Sequence, residues 1–320
     1  MSAPSPQSHA FSAPPAANDV RTGQTWTTRQ RIKNDLLWVT AMTALTFAQR
    51  LPRSWLVRLG RGLGLLAHRL LASARRQARN NVALCFPEWS PRERADFVRE
   101  NFLTLGENLA DTVALLDARE PADRTLEVPE TSERVLREAL SLGKGVVYLT
   151  AHLGPWERMA ALLSARGFPI STVARESYDP RFNRLYDRLR LSRGVEALYR
   201  GHETAPIAIV RALRRNRVVG FPVDLPGRIP TVPVMLLGRA SALPIGPARI
   251  ALRTGAPVVV GTPAPGVDGK LHVVIEHLAT SDLAPGEAGE AALAQRMADA
   301  LSERIRALPR HWIWLHPSFR

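Results

Sequence analysis

Apolar positions change their spacing part-way along the chain. Up to about residue 120 they recur at helical intervals; from about residue 145 they gather into short runs between helix-like segments. "LLWVTAMTALTFA", residues 36–48, carries no charge, and "WLVRLGRGLGLLAHRLL", residues 55–71, is a second apolar patch broken by arginines. The stretch 80–120 predicts helix, with Ser90 as N-cap and Pro91 in the first turn. Further on, strands are predicted over 145–152, 168–175, 195–200, 217–224, 232–238, 256–264 and 271–278, and helices over 155–166, 180–194, 204–216, 245–255 and 287–307. That alternation predicts an α/β fold, a mainly parallel sheet flanked by helices, preceded by a helical membrane-associated N-terminal region. The expected organisation is a disordered tail over 1–28, rich in Ala, Pro, Ser and Gln, a helical region over 29–120 and an α/β domain over 121–320. Residues 29–320 are expected to form one folded unit. The tail lacks the basic and apolar regions of a secretory signal.

Charge sharpens the N-terminal reading. The chain is 45% hydrophobic and 22% charged, a globular composition, yet its formal net charge is +14. Between 29 and 79 there are eleven basic residues against one acid, Asp35. Thirteen uncharged residues fall short of the roughly 20 that span a bilayer. Short apolar helices flanked by arginine suit a membrane interface, where apolar faces sink in and arginines meet lipid phosphates. An anionic membrane surface is therefore an expected partner. The non-enzymatic alternative is a basic membrane- or nucleic-acid-binding protein. No helix-turn-helix, RNP-type aromatic pattern or zinc-finger spacing is visible, so nucleic acid is not an expected partner. One cysteine, Cys85, rules out an internal disulfide framework and a cysteine-based zinc site, and no metal or cofactor is expected.

Candidate chemistry begins at "TAHLGPWERMA", residues 150–160. His152 follows a strand-like run, and Glu157 falls in the first turn of the next helix, with Gly154 and Pro155 between them. In open α/β sheets the crevice lies beyond the carboxyl ends of the strands. An imidazole there can take a proton from a hydroxyl, and a carboxylate can hold its other nitrogen. Glu157 is the expected orienting acid; the competing reading makes His152 a helix-cap residue and Glu157 a surface carboxylate. Arg175 and Asp224 end two further predicted strands. Arg175 suits bidentate contact with phosphate or with an oxyanion. Arg188, Arg190 and Arg193 lie along the predicted helix 180–194, as substrate contacts or as a solvated face. Trp312 and Trp314 read as packing residues, and His316 as a group behind the site. There is no Gly-x-Ser-x-Gly elbow, and Cys85 lies in the helical N-terminal part, so no covalent intermediate on the protein is expected.

Four blocks in order carry a resemblance: "AHLGPWE", "VARESYDPRFNRLYDRLRLSRG", the run from "VVGFPVDLPG" to "TGAPVVV", and "PRHWIWLHPSFR". Over residues 30–320 the chain resembles the lipid A biosynthesis acyltransferase family, which includes the bacterial lauroyl and myristoyl transferases and the phosphatidylinositol mannoside acyltransferases. The resemblance implies transfer of a fatty acyl chain from a thioester, on acyl carrier protein or coenzyme A, to a hydroxyl of a membrane glycolipid such as a lipid A precursor. It also implies a location at the cytoplasmic face of the bacterial inner membrane. The rival within acyl transfer is a lysophospholipid acyltransferase, whose family shares the His-x4-acid motif.

Overall fold

The computed structural model describes residues 23–201, 204–225, 229–267 and 269–319. Four helices come first: α1 (Thr28–Ala48), α2 (Arg53–Leu70), α3 (Ala72–Cys85) and α4 (Pro91–Ala114). The remaining chain runs β1 (Leu126–Glu127), α5 (Glu130–Ser141), β2 (Val146–Thr150), α6 (Trp156–Ala165), β3 (Ile170–Arg175), α7 (Pro180–Ser192) and β4 (Glu196–Arg200). It continues with α8 (Ala205–Arg214), β5 (Val218–Pro222), β6 (Thr231–Leu236), β7 (Arg239–Pro244), α9 (Gly246–Thr254), β8 (Val258–Pro265), β9 (Leu271–Leu278) and α10 (Glu287–Ala307).

Seven strands form one sheet in the order β1-β9-β8-β2-β5-β3-β4. Every neighbouring pair is parallel except β8 with β9. The α/β fold with a mostly parallel sheet is as the alternation predicts. β2 is central and buried along its whole length, which is why "VVYLT" lacks a polar face. Its residues still alternate between two cores. Val147 and Leu149 pack with α3, α4, α8, α9 and α10, whereas Val146 and Tyr148 pack with α5 and α6.

Several elements depart from expectation. The predicted strand over 232–238 does not join the main sheet; β6 pairs antiparallel with β7, whose strand was not anticipated. α5 and the short β1 were also not anticipated. The α5 apolar positions are few, and it is seated by burying Leu136 and Ala139. Of the expected tail, residues 1–22 lie outside the described residues, while Trp26 stacks on Tyr178 and Thr27 caps α1 in a capping box with Gln30. Ser90 caps α4 in the same way with Glu93. α3 and α4 contribute Ala78, Val82, Phe97, Val98 and Phe102 to the core that also covers the sheet.

α1 and α2 are built the other way round. On α2, Trp55, Leu59, Leu63, Leu66 and Leu70 recur at helical spacing, and all are exposed. Its buried face is Leu56, Gly60 and Gly64. A Cβ added at Gly60 or Gly64 would overlap the carbonyl oxygens of Gly106 or Phe102 on α4, and one at Gly106 would overlap that of Gly60. The glycines let two backbones touch, as small residues do between helices in lipid. α1 exposes Ile32, Leu36, Leu37, Val39 and Phe47. Among the described residues no helix is long and apolar enough to cross a membrane.

Candidate active site

Register places the site. β2 and β5 are adjacent and parallel, with Thr150 opposite Pro222. Two residues beyond each pair partner stand His152 and Asp224, side by side past the carboxyl ends of the strands. The Asp224 carboxylate accepts from the His152 backbone N–H at 3.0 Å, and its Oδ1 lies 2.9 Å from His152 Nδ1. Its Oδ2 accepts from the Trp312 indole Nε1–H at 2.8 Å. Asp224 is buried. Burial alone would raise its carboxyl pKa, but the His152 ring and the donors from His152 and Trp312 lower it below the ordinary carboxylate value.

Glu157 is therefore not the group on His152 Nδ1. It is buried in the first turn of α6, where Arg190 of α7 holds both its oxygens, at 2.5 and 3.2 Å. Burial would depress the Arg190 pKa, but Glu157 raises it above the usual value. The geometric reason lies in strand register: the end of β5 lies beside the end of β2 and brings Asp224 next to His152, while Glu157, in the first turn of α6, is held by Arg190. Pro155 is the cap residue of α6 and not its first residue. Gly154, at φ 63°, adopts the left-handed conformation that the turn requires, and its N–H donates to the His311 carbonyl at 3.0 Å.

The C-terminal segment closes over this turn. Leu153 bridges to Trp312, and Trp312 and Trp314 are fully buried, edge to face with centroids 4.7 Å apart. Two buried asparagines hold the segment from outside. Asn101 of α4 donates to the carbonyls of Arg310 and Trp312, and Asn81 of α3 donates to those of Trp314 and His316. Another buried polar group ties the helical region to the site. Arg158, beside Glu157, is fully buried and pairs with Asp111 of α4, with Glu120 at 3.1 Å and with the Pro121 carbonyl at 2.7 Å. Arg53 of α2 reaches the same two acids, Asp111 at 2.6 Å and Glu120 at 3.3 Å. Arg193 donates to the carbonyls of Leu115, Asp117 and Glu120 and so pins that loop.

A cavity of about 1010 Å³ opens at His152. His152, Glu157, Arg175, Arg190, Trp156 and His316 line its polar part. One arm of the apolar part follows the α6 side of β2 and β5 down to Val218, with Tyr148, Met159, Leu163 and Ile170 along it, while Ile209, Phe221 and Ile250 line the cavity from the other core. Val218 is opposite Val146, six positions before His152, so this arm runs for roughly 20 Å at about 3.3 Å per residue. Of the sequence-predicted residues, Asp224 sits behind His152 and Arg190 behind Glu157. Arg188 is exposed on α7 and does not line the cavity. Arg193 is structural. Cys85 does not line the cavity either, and burial pushes its thiol up to about 12. Among the described residues no cluster of His, Cys, Asp and Glu has metal-holding geometry.

Known proteins resemble the chain over most of its length. The family model for bacterial lipid A biosynthesis acyltransferases matches residues 26–320. Lipid A biosynthesis lauroyltransferase of Escherichia coli is 27% identical over 293 residues, 89% of this chain and 91% of that protein. Phosphatidylinositol mannoside acyltransferase of Mycobacterium tuberculosis is 31% identical over 192 residues, 58% of this chain and 57% of that protein. Lipid A biosynthesis myristoyltransferase of Escherichia coli is 30% identical over 128 residues, 40% of this chain and 39% of that protein. The chain is an acyltransferase and belongs to the bacterial lipid A biosynthesis acyltransferase family.

Proposed function

We propose that the protein moves a fatty acyl chain from an acyl thioester, on acyl carrier protein or coenzyme A, to a hydroxyl of a membrane glycolipid such as a lipid A precursor. The observation that carries this reading is the His152–Asp224 pair at the head of a long, mostly apolar cavity. With Nδ1 donating to Asp224, the Nε2 lone pair of His152 is available to the acceptor. It takes the hydroxyl proton as that oxygen attacks the thioester carbonyl. Collapse of the tetrahedral adduct breaks the C–S bond, and the leaving thiolate takes the proton back from the imidazolium. Asp224 stabilises the imidazolium while it exists, as the buried acid of a triad does. Transfer is direct, a reading supported by the half-buried Cys85 thiol, which does not line the cavity and whose pKa is raised. The acyl chain lies in the arm between the sheet and α6. Glu157 fixes Arg190 at the cavity wall, and Arg175 faces the headgroup side.

The location that fits is the cytoplasmic face of the bacterial inner membrane. The exposed leucine stripe of α2 and the apolar faces of α1 sink to the acyl boundary, and the surrounding arginines meet anionic headgroups. The test is turnover by His152→Ala in vesicles, with acyl-carrier-protein and coenzyme A thioesters as donors and with glycolipid and lysophospholipid as acceptors. The wild type should favour the glycolipid, and the variant should lose roughly 10²–10⁴-fold in rate while still binding vesicles. Near-wild-type turnover by the variant removes the mechanism, and a preference for lysophospholipid removes the substrate class.

A further inference from the structure

β5 carries a glycine that its backbone does not require. Gly220 sits mid-strand and is not in the left-handed region, so an L side chain fits its conformation. Glycine inside a strand costs backbone entropy and leaves nothing to pack, and it marks places where another group comes close. Gly261 of β8 has the ordinary reason: a Cβ there would overlap the Tyr148 phenol, which fills the space. Gly220 has no such neighbour. Among the described residues, a Cβ on it would meet only the Ser171 carbonyl oxygen at 3.6 Å and the Thr172 hydroxyl at 3.9 Å, both ordinary contacts with β3. Its open side faces the cavity. Val219 and Phe221 belong to one core and Val218 to the other, so Gly220 shares the α6 side with Val218. It lies opposite Tyr148 on β2 and Thr172 on β3, and all three line the cavity. β5 is interior to the sheet, and Gly220 is only partly buried between the buried Val219 and Phe221.

Depth follows from register. Gly220 is opposite Tyr148, four positions before His152, which puts it about 13 Å below the base. Ile170 is opposite Val218 one side-chain layer further down, and these buried residues, with Leu163, form the floor of the arm. A carbon–carbon bond of about 1.5 Å advances an extended chain about 1.25 Å, so roughly ten carbons reach Gly220 and about five more reach the floor. We propose that Gly220 sets the length of the acyl chain that the enzyme transfers: its missing side chain opens the lower third of the arm, and chains longer than about ten carbons pass it to reach Val218 and Ile170. The proposal rests on the reading of this arm as the site of the donor chain.

Gly220→Val and Gly220→Ala in the full chain test this. The donors are saturated acyl thioesters of acyl carrier protein and of coenzyme A, from about eight to about sixteen carbons, offered to one glycolipid acceptor. In Gly220→Val the isopropyl group fills the arm at that level. For donors longer than about twelve carbons kcat/KM should fall about tenfold or more, because each buried methylene that is lost costs about three- to fourfold. For donors of about ten carbons or fewer it should stay within about twofold of the wild type. Gly220→Ala, whose methyl meets only the two β3 contacts, should shift the profile less in the same direction, and it carries the test if the Val variant does not fold. An unchanged length profile, or an equal loss at every length, overturns the proposal. Displacement of a fluorescent fatty acid by free fatty acids of the same lengths, from His152→Ala with and without Gly220→Val, reads the arm without turnover. The Val substitution should weaken the long chains about tenfold and spare the short ones, and equal displacement at all lengths overturns the proposal. If the wild type transferred no acyl chain, the donor-chain reading would fall by itself, since the displacement series still decides what Gly220 does.

Discussion

The α2–α4 crossing and the β2–β5 strand ends solve opposite problems. At the crossing, glycines face the protein and leucines face outward. At the strand ends, polar groups face inward and the charged groups around the base are matched: His152 to Asp224, Asp224 to Trp312, Glu157 to Arg190. The first region is the proposed lipid-facing surface, and side chains that sink into an apolar surrounding need no polar partners. The second excludes solvent, so each buried charge must be held by another group. The Asp111–Glu120–Arg158–Arg53 cluster and the two asparagines join these regions, so the proposed lipid-facing surface and the proposed base belong to one packed body.

Removing the outward leucines gives the largest expected effect. Replacing Leu59, Leu63, Leu66 and Leu70 together by Gln removes about 1 kcal/mol or more of apolar insertion each, and vesicle affinity should fall about 10³-fold. The melting point should move little, because none of these side chains is buried in a core. Salt should release the wild type only in part, since apolar insertion is not screened. A soluble-looking binding curve with no change from wild type would mean the stripe serves another surface.

The inward glycines should respond the other way. Gly106→Val forces a side chain into the Gly60 backbone, a cost of about 3 kcal/mol. The thermal midpoint should drop by several degrees, while the remaining folded protein keeps its vesicle affinity. An unchanged midpoint would show that the crossing gives way easily.

The strand-end site should be sensitive in rate. Trp312→Phe keeps the packing and deletes one hydrogen bond to a charged acceptor, worth about 1.5–3 kcal/mol. Turnover should fall about tenfold with KM unchanged. An equal loss of midpoint with a normal rate would make Trp312 a packing residue only.

How much of this was legible in the sequence follows physical lines. The strands and helices after residue 145 were readable because period and punctuation agree there, and "LHVVIEHL" and the helix 287–307 match β9 and α10 to the residue. β7 was not readable, because "RASALP" has neither β-branched residues nor alternation and is held by its pairing with β6. His152 and the cavity arginines Arg175 and Arg190 were legible as strand-end or helix residues near a crevice. The partner of His152 was misassigned, since sequence proximity favoured Glu157, five residues away, over Asp224, 72 residues away. Strand order decides that question, and order is a tertiary property. Asp224 was noticed as a strand end without its role. Arg158, Asn81 and Asn101 had no signal, because a buried polar residue in a helix looks like an exposed one until its partners are known. The orientation of α2 was also hidden: an apolar stripe at helical spacing ordinarily faces a core, and only the glycines of the other face show that it does not.

The most direct test of the central claim is the initial rate of acyl transfer by Asp224→Asn on a preparation with a normal thermal midpoint. Asn keeps the size but has one acceptor oxygen where Asp224 uses two, so it cannot accept from both the His152 ring and Trp312, and it lacks the charge that stabilises the imidazolium. The account predicts a fall of about 10²-fold or more, several times larger than that of Glu157→Gln measured beside it. A rate within a few-fold of wild type would contradict it, and would leave His152 without the acid that the strand register places against it.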